Sequence, residues 1–180
     1  IKNCLIDNAP GSPVSYATSL PKQNISSTSY TYEDDVRSNG ATYSAGIVIR
    51  NTVPVNRNGN NSEGLDTLMN SNNQIVGNEI SGFGYGVADM GAGVLFQANS
   101  SKLIGYYNEG TQINNNTIWN VGRAGIFVGF ERNSSVSGNR IYNVGTTVGH
   151  SGMAAGIIAG GEARYNNEKL TISSNEISGV

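Results

Sequence analysis

One six-residue phrase constrains this chain more than any other feature: an aliphatic residue, two spacers, Asn, one spacer and Ile. It reads IVGNEI at 75–80, INNNTI at 113–118, VSGNRI at 136–141 and ISSNEI at 172–177, and IKNCLI at 1–6 is a fifth copy with Cys4 in the Asn place. A second phrase alternates with it: AGIVI at 45–49, AGVLF at 92–96, AGIFV at 124–128 and AGIIA at 155–159. The shortest complete unit, Ile113 to Val136, spans 23 residues. Each phrase is short, β-branched and bounded by Gly, Asn or Ser, which predicts a strand and not a helix. A unit of this length repeated in one direction neither pairs as hairpins nor closes a barrel, so it must coil on its own previous turn. Equivalent residues then stack about 4.8 Å apart, the spacing of neighbouring strands. On that reading Asn78, Asn116, Asn139 and Asn175 form a ladder at one corner, each adopting a left-handed turn conformation and passing amide hydrogen bonds up and down. Cys4 is expected to end the ladder as a small buried residue.

Composition supports an ordered, turn-rich domain. Gly numbers 24 and Asn 25 among 180 residues, yet Ile and Val fall at regular places, unlike a disordered low-complexity chain. The expected domain is a single one covering 1–180, read as a piece of a longer helix whose caps are missing. A net charge of -2 with 13% charged residues and no Lys/Arg cluster argues against nucleic acid as a partner. No apolar run approaches the roughly 18 residues of a membrane span, so membrane insertion is not expected. Cys4 stands alone and allows no internal disulfide. No His/Cys metal motif, phosphate-cradling loop or Ser-His-Asp arrangement is present, and no cofactor or metal is expected.

With its repeated Asn at a corner turn, the chain resembles the right-handed parallel β-helix proteins of the pectin-lyase-like superfamily, across about five coils from Ile1 to Val180. The resemblance implies an all-β fold: a right-handed single-stranded parallel β-helix, or solenoid, with long inter-strand loops. It also implies a secreted, cell-surface or virion-surface location and a polysaccharide or glycan partner, with homo-oligomerisation common among the phage-type relatives. It does not select an activity, because that superfamily holds hydrolases, lyases, epimerases, tailspikes and adhesins. Motif groups of its polygalacturonases are matched only in part, by Asp34-Asp35 and by Gly149-His150-Ser151-Gly152. The Tyr-Gly-x-Asp-Pro-His signature of its alginate epimerases has only a distant counterpart at 85–90.

In the resembled proteins substrate lies outside one strand of the coil, between long turns, and the Ala-Gly phrase is the candidate strand. Alternation points Ile126 and Val128 inward and Phe127 outward, with Val48, Leu95 and Ile158 as its expected stacked equivalents. Such a strip either is covered by the chain's own loops or stacks sugar or a partner. Seven residues after each Ala come Thr52, Asn99, Glu131 and Glu162, which would stack Glu131 on Glu162 with carboxylates about 5 Å apart, near the separation in retaining glycosidases. The two could equally splay apart and pair with Arg132 and Arg164 as a surface ion cluster. Asp89 and His150 are reserve acid/base candidates. Arg123 could orient a carboxylate-bearing sugar, and Tyr85, Tyr30, Tyr32, Asp34 and Asp35 could contact carbohydrate. Trp119 and Tyr142 align as a stacked aromatic pair on the outer wall. The expected activity is glycoside hydrolysis; the alternatives are a non-catalytic glycan-binding or structural segment of a tailspike or adhesin, and a polysaccharide lyase.

Overall fold

A computed structural model of the chain describes residues 1–7, 45–50, 70–95, 103–145, 154–160 and 167–180. Among these every regular element is a strand, and three parallel sheets account for most of them. The first sheet contains Gln74–Val76, Gln112–Asn114, Ser135–Ser137 and Thr171–Ser173. The second contains Leu5–Asp7, Glu79–Ser81, Thr117–Val121, Arg140–Val144 and Glu176–Ser178. The third contains Ala45–Arg50, Tyr85–Met90, Ala124–Gly129 and Ala155–Ala159. This arrangement is compatible with a parallel β-helix.

Register follows the first phrase directly. Its leading residues pair as Ile75, Ile113, Val136 and Ile172, and its closing isoleucines as Ile6, Ile80, Ile118, Ile141 and Ile177. From the third sheet Ile47, Val87, Ile126 and Val128 join these columns in one apolar core. Complete burial of an aliphatic side chain contributes about 1.5–3 kcal/mol, so these columns are the main favourable term holding the sheets together.

Sharp corners delimit the strands. Three residues spaced by five take positive φ in each repeat: Asn72, Gly77 and Gly82; Gly110, Asn115 and Asn120; Asn133, Gly138 and Asn143; Lys169, Ser174 and Gly179. These are residues that tolerate the left-handed region, Lys169 and Ser174 excepted. The corner conformation falls on the residue before each ladder Asn, not on the ladder Asn as the sequence led us to expect. The turn at that residue frees the next side chain to point into the interior.

The ladder itself is present. Both the backbone N–H and Nδ2 of Asn78 donate to Asn116 Oδ1 at 2.9 Å, and the pattern repeats from Asn116 to Asn139 and from Asn139 to Asn175 at 2.9–3.0 Å. The second Nδ2 hydrogen of each Asn goes to a main-chain carbonyl: Ile1 for Asn78, Ile75 for Asn116, Ile113 for Asn139 and Val136 for Asn175. Cys4 contributes only its backbone N–H, to Asn78 Oδ1 at 3.1 Å. Its side chain is exposed, contrary to the expected burial, and its Sγ turns to the Lys2 carbonyl at 3.3 Å.

The third sheet corrects the second phrase. Ala45 and Ala124 both pair with Tyr85, so Tyr85–Met90 is the stacked strand of its repeat. The Ala92–Leu95 segment instead pairs antiparallel with Leu103–Tyr106. Gly, not Ala, is the invariant physical requirement. A Cβ on Gly125 would lie 2.5 Å from Ile141 Cγ2 and 2.8 Å from the Gly156 carbonyl oxygen, and Gly86 is similarly hemmed in by Ile118 and Gly125. YGVAD satisfies that requirement through Gly86, and Phe127 is therefore level with Ala88, not Leu95.

Candidate functional site

Besides the Asn ladder, the described interior carries a second buried polar cluster, and it contains two of the carboxyls the sequence singled out. After the Ala124–Gly129 strand, Phe130 takes a positive φ of 56°, a rare state for a bulky side chain. Its ring is buried edge-on to Tyr107 at 5.9 Å, and its carbonyl accepts the Asn108 N–H at 2.9 Å. These contacts hold the reversal that sends Phe130 out of the core and Glu131 into it. Glu131 pairs with Asn108 below, and Arg132 bridges to Glu168 above, which places Asn167 on Glu131. The Glu131 N–H donates to Asn167 Oδ1 at 2.9 Å.

Asn70, Asn108, Glu131 and Asn167 thus form a second column, one position before the Ser71–Glu109 and Arg132–Glu168 bridges. Each stands five residues before the leading aliphatic residue of the first phrase. Glu131 is its only acid. Asp89 reaches it from the third sheet, where its partners are Ile49 and Val128 on the core-facing side. Both carboxyls are completely buried.

Asn108 Nδ2 donates to Asp89 Oδ1 at 2.9 Å, while the Ser134 hydroxyl donates to Glu131 Oε2 at 2.7 Å and accepts the Thr111 N–H at 3.1 Å. That leaves Asp89 Oδ2, Glu131 Oε1 and Thr111 Oγ1 buried with no other partner. Burial first, and the Glu131 charge second, push the Asp89 carboxyl well above its ordinary range. Glu131 is also raised by burial, opposed first by the Ser134 hydroxyl and then by the nearby polar groups of Asn108, Asp89 and Thr111. The arrangement leaves two buried carboxyl oxygens and one hydroxyl without a hydrogen-bond partner. It is poorly suited to calcium, which takes roughly six to eight oxygens, since three are free and Asn108 turns an amide N–H toward Asp89. Among the described residues no group of three or more His, Cys, Asp or Glu converges.

Outside this corner, Glu109, Arg132 and Tyr107 make ordinary surface contacts. Glu109 pairs with Arg132 at 3.2 Å and accepts from Asn133 Nδ2 at 2.7 Å; these two partners, Asn133 foremost, hold its carboxyl below the usual range. Burial and the neighbouring Glu168 charge raise the Tyr107 phenol. Trp119 and Tyr142 do stack, with centroids 6.0 Å apart and planes 9° from parallel.

The remaining candidates are scattered. The register expected to set Glu162 on Glu131 sets Asn167 there, because the connection after Ala155–Ala159 is longer than the one after Ala124–Gly129. Phe127 does face away from the main core, yet it is wholly buried in a second apolar cluster with Tyr85, Ala88, Met90, Ala124 and Phe130. Neither Phe127 nor Tyr85 offers a ring face to solvent; their rings meet edge-on at 6.4 Å. Arg123 sits at the entry to the third sheet with buried, unpartnered Nε and Nη1. Glu162, His150, Tyr30, Tyr32, Asp34 and Asp35 lie outside the described residues. Sequence reasoning missed Asn108, Thr111, Ser134 and Phe130; the fixed offset before the first phrase was the available signal for Asn108. No family model, no curated protein and no solved structure matches the chain.

Proposed function

We propose that the chain forms about five coils of a right-handed parallel β-helix of the pectin-lyase-like kind, and that it serves as a glycan-binding framework at a secreted, cell-surface or virion-surface location. The coil assignment is supported by the order in which the chain visits the first, second and third sheets, repeated along its length. One observation carries the binding reading: differences in coil length fall at the two ends of the third sheet. Segments 8–44, 82–84, 122–123 and 145–154 enter its strands, and 51–69, 91–107, 130 and 160–166 lead from them to Asn70, Asn108, Glu131 and Asn167, whereas the leading and closing aliphatic residues of the first phrase keep one spacing throughout. Variable segments on both sides of one regular sheet supply contacts that the coil does not need for folding. Their richness in Ser, Thr, Asn and Tyr suits carbohydrate hydroxyls.

Binding is preferred over hydrolysis because the two carboxyls that come together, Asp89 and Glu131, are sealed in the core, where a glycosidic oxygen has no approach. The test is a panel of neutral and uronic polysaccharides, scored for retention of the protein and for release of reducing ends. Retention without cleavage is the expected result. Cleavage lost in a folded Glu131→Gln variant would establish the hydrolase, and a 4,5-unsaturated product would establish a lyase.

A further inference from the structure

We propose that Asp89 and Glu131 form a buried site for one proton, with Asp89 Oδ2–H donating to Glu131 Oε1. Three observations lead there. Both side chains are fully buried, and each has one oxygen satisfied from elsewhere and one without a partner: Asp89 Oδ1 takes Asn108 Nδ2, and Glu131 Oε2 takes the Ser134 hydroxyl. Two carboxylates cannot satisfy each other, since both are acceptors only; a single added proton converts the two leftover oxygens into a donor and an acceptor. Thr111, itself only 1% exposed and with an otherwise unpartnered hydroxyl, faces both carboxyls and provides a rotatable donor to the remaining negative charge.

Among the residues whose side chains are described, no cation pairs with either carboxyl. From the Glu131–Arg132 strand, Arg132 turns outward to Glu109 and lies over the Tyr107 ring at 5.5 Å. On the Asn108–Glu109 strand Glu109 turns outward to Arg132 and Asn133, and Glu168 beyond Asn167 acts on Tyr107. The Tyr85–Met90 and Ala124–Gly129 strands bring no other charge. The proton rests on Asp89 because Glu131 alone of the pair takes a hydroxyl donor, from Ser134 at 2.7 Å, while burial and the Glu131 charge both raise Asp89.

Folding therefore takes up a proton that the unfolded chain has released. The raised folded value means this contribution is complete below the unfolded carboxyl range, about 4, and drains away as pH rises through the folded value. Over that window the folding equilibrium constant falls about tenfold per pH unit relative to a protein lacking the site. In Asp89→Asn or Glu131→Gln an amide supplies the donor permanently.

The experiment is urea unfolding of the wild-type protein and both variants from pH 4 to 9, with infrared spectra of the folded proteins at neutral pH. Expected results are a tenfold-per-unit difference in slope between wild type and either variant, and a protonated-carboxyl C=O band present in the wild type and absent from Asp89→Asn. Parallel pH profiles overturn the proposal. So does a wild-type spectrum without that band, a measurement that stands even where the variants do not fold. A calcium-dependent rise in the wild-type midpoint, abolished in Asp89→Asn, would also overturn it, by identifying a cation as the neutralising partner.

Discussion

Two columns of amides run through this protein, and they solve the same problem differently. In Asn78–Asn116–Asn139–Asn175 every side chain both donates and accepts, so rungs satisfy one another and the column is neutral and self-sufficient. In Asn70–Asn108–Glu131–Asn167 one rung is an acid that can only accept, and the column requires Asp89, Ser134 and Thr111 to complete it. A repeated amide is thus a structural default, and the rung that departs from it is where polar chemistry concentrates.

The largest predicted effect comes from moving that departure into the first column. Asn116→Asp is nearly isosteric, but it deletes the donors to Ile75 O and Asn139 Oδ1 and buries a charge with no Asp89 counterpart. Removing buried hydrogen-bond donors and leaving an unpaired charge costs on the order of 3–5 kcal/mol at pH 7. The sign with pH follows from a raised folded value: stability recovers as pH falls toward the ordinary carboxyl range, where the neutral acid regains a donor. Urea unfolding at pH 7 and pH 4 measures both. A loss under about 1 kcal/mol at pH 7 would mean that the two columns tolerate acids equally.

A smaller effect distinguishes the interior of the second column from its end. Asn167 accepts the Glu131 N–H at 2.9 Å and donates weakly to Val128 O at 3.3 Å, and it is only half-buried. Asn167→Ala should cost about 1–1.5 kcal/mol, the range for one well-made bond whose orphaned donor water can partly reach. Its midpoint should shift without altering the pH slope, because the proton held by Asp89 and Glu131 does not depend on Asn167. A changed slope would extend the proton site to this rung.

Much of the first column was legible in the sequence, because a polar residue recurring between fixed aliphatic neighbours has few explanations other than stacking. Its register follows from Ile75, Ile113, Val136 and Ile172 alone. The second column was harder to read. Asn70, Asn108 and Asn167 have no constant apolar neighbours, and the one acid among them breaks the composition that would have announced a repeat. Anchoring the second phrase on Ala also misled the register, since the place of Ala124 is taken by Tyr85 in the preceding repeat while Gly125 and Gly86 cannot change. Contact between Asp89 and Glu131 depends on that corrected register and on the reversal at Phe130. A bulky residue at positive φ carries no sequence signal of its own; it is held by its ring contact and by Asn108.

Beside each column runs a file of left-handed corners, and these provide the finest test. Next to the first column the file is Asn3, Gly77, Asn115, Gly138 and Ser174; next to the second it is Asn72, Gly110, Asn133 and Lys169. Lys169, at φ 51°, is the residue least suited to its place, since an unbranched L side chain there is strained and gains no local hydrogen bond in return. It is exposed, so replacing it disturbs no packing. Lys169→Asn should therefore stabilise the protein by about 0.5–1 kcal/mol, and Lys169→Gly by less, because Gly gives back part of the gain as entropy in the unfolded chain. Thermal unfolding of the two variants against wild type measures the order. If both are neutral, the corner at 169 relaxes without cost, and the second column's file of turns is set by its pairing with Asn133 instead of by local backbone preference.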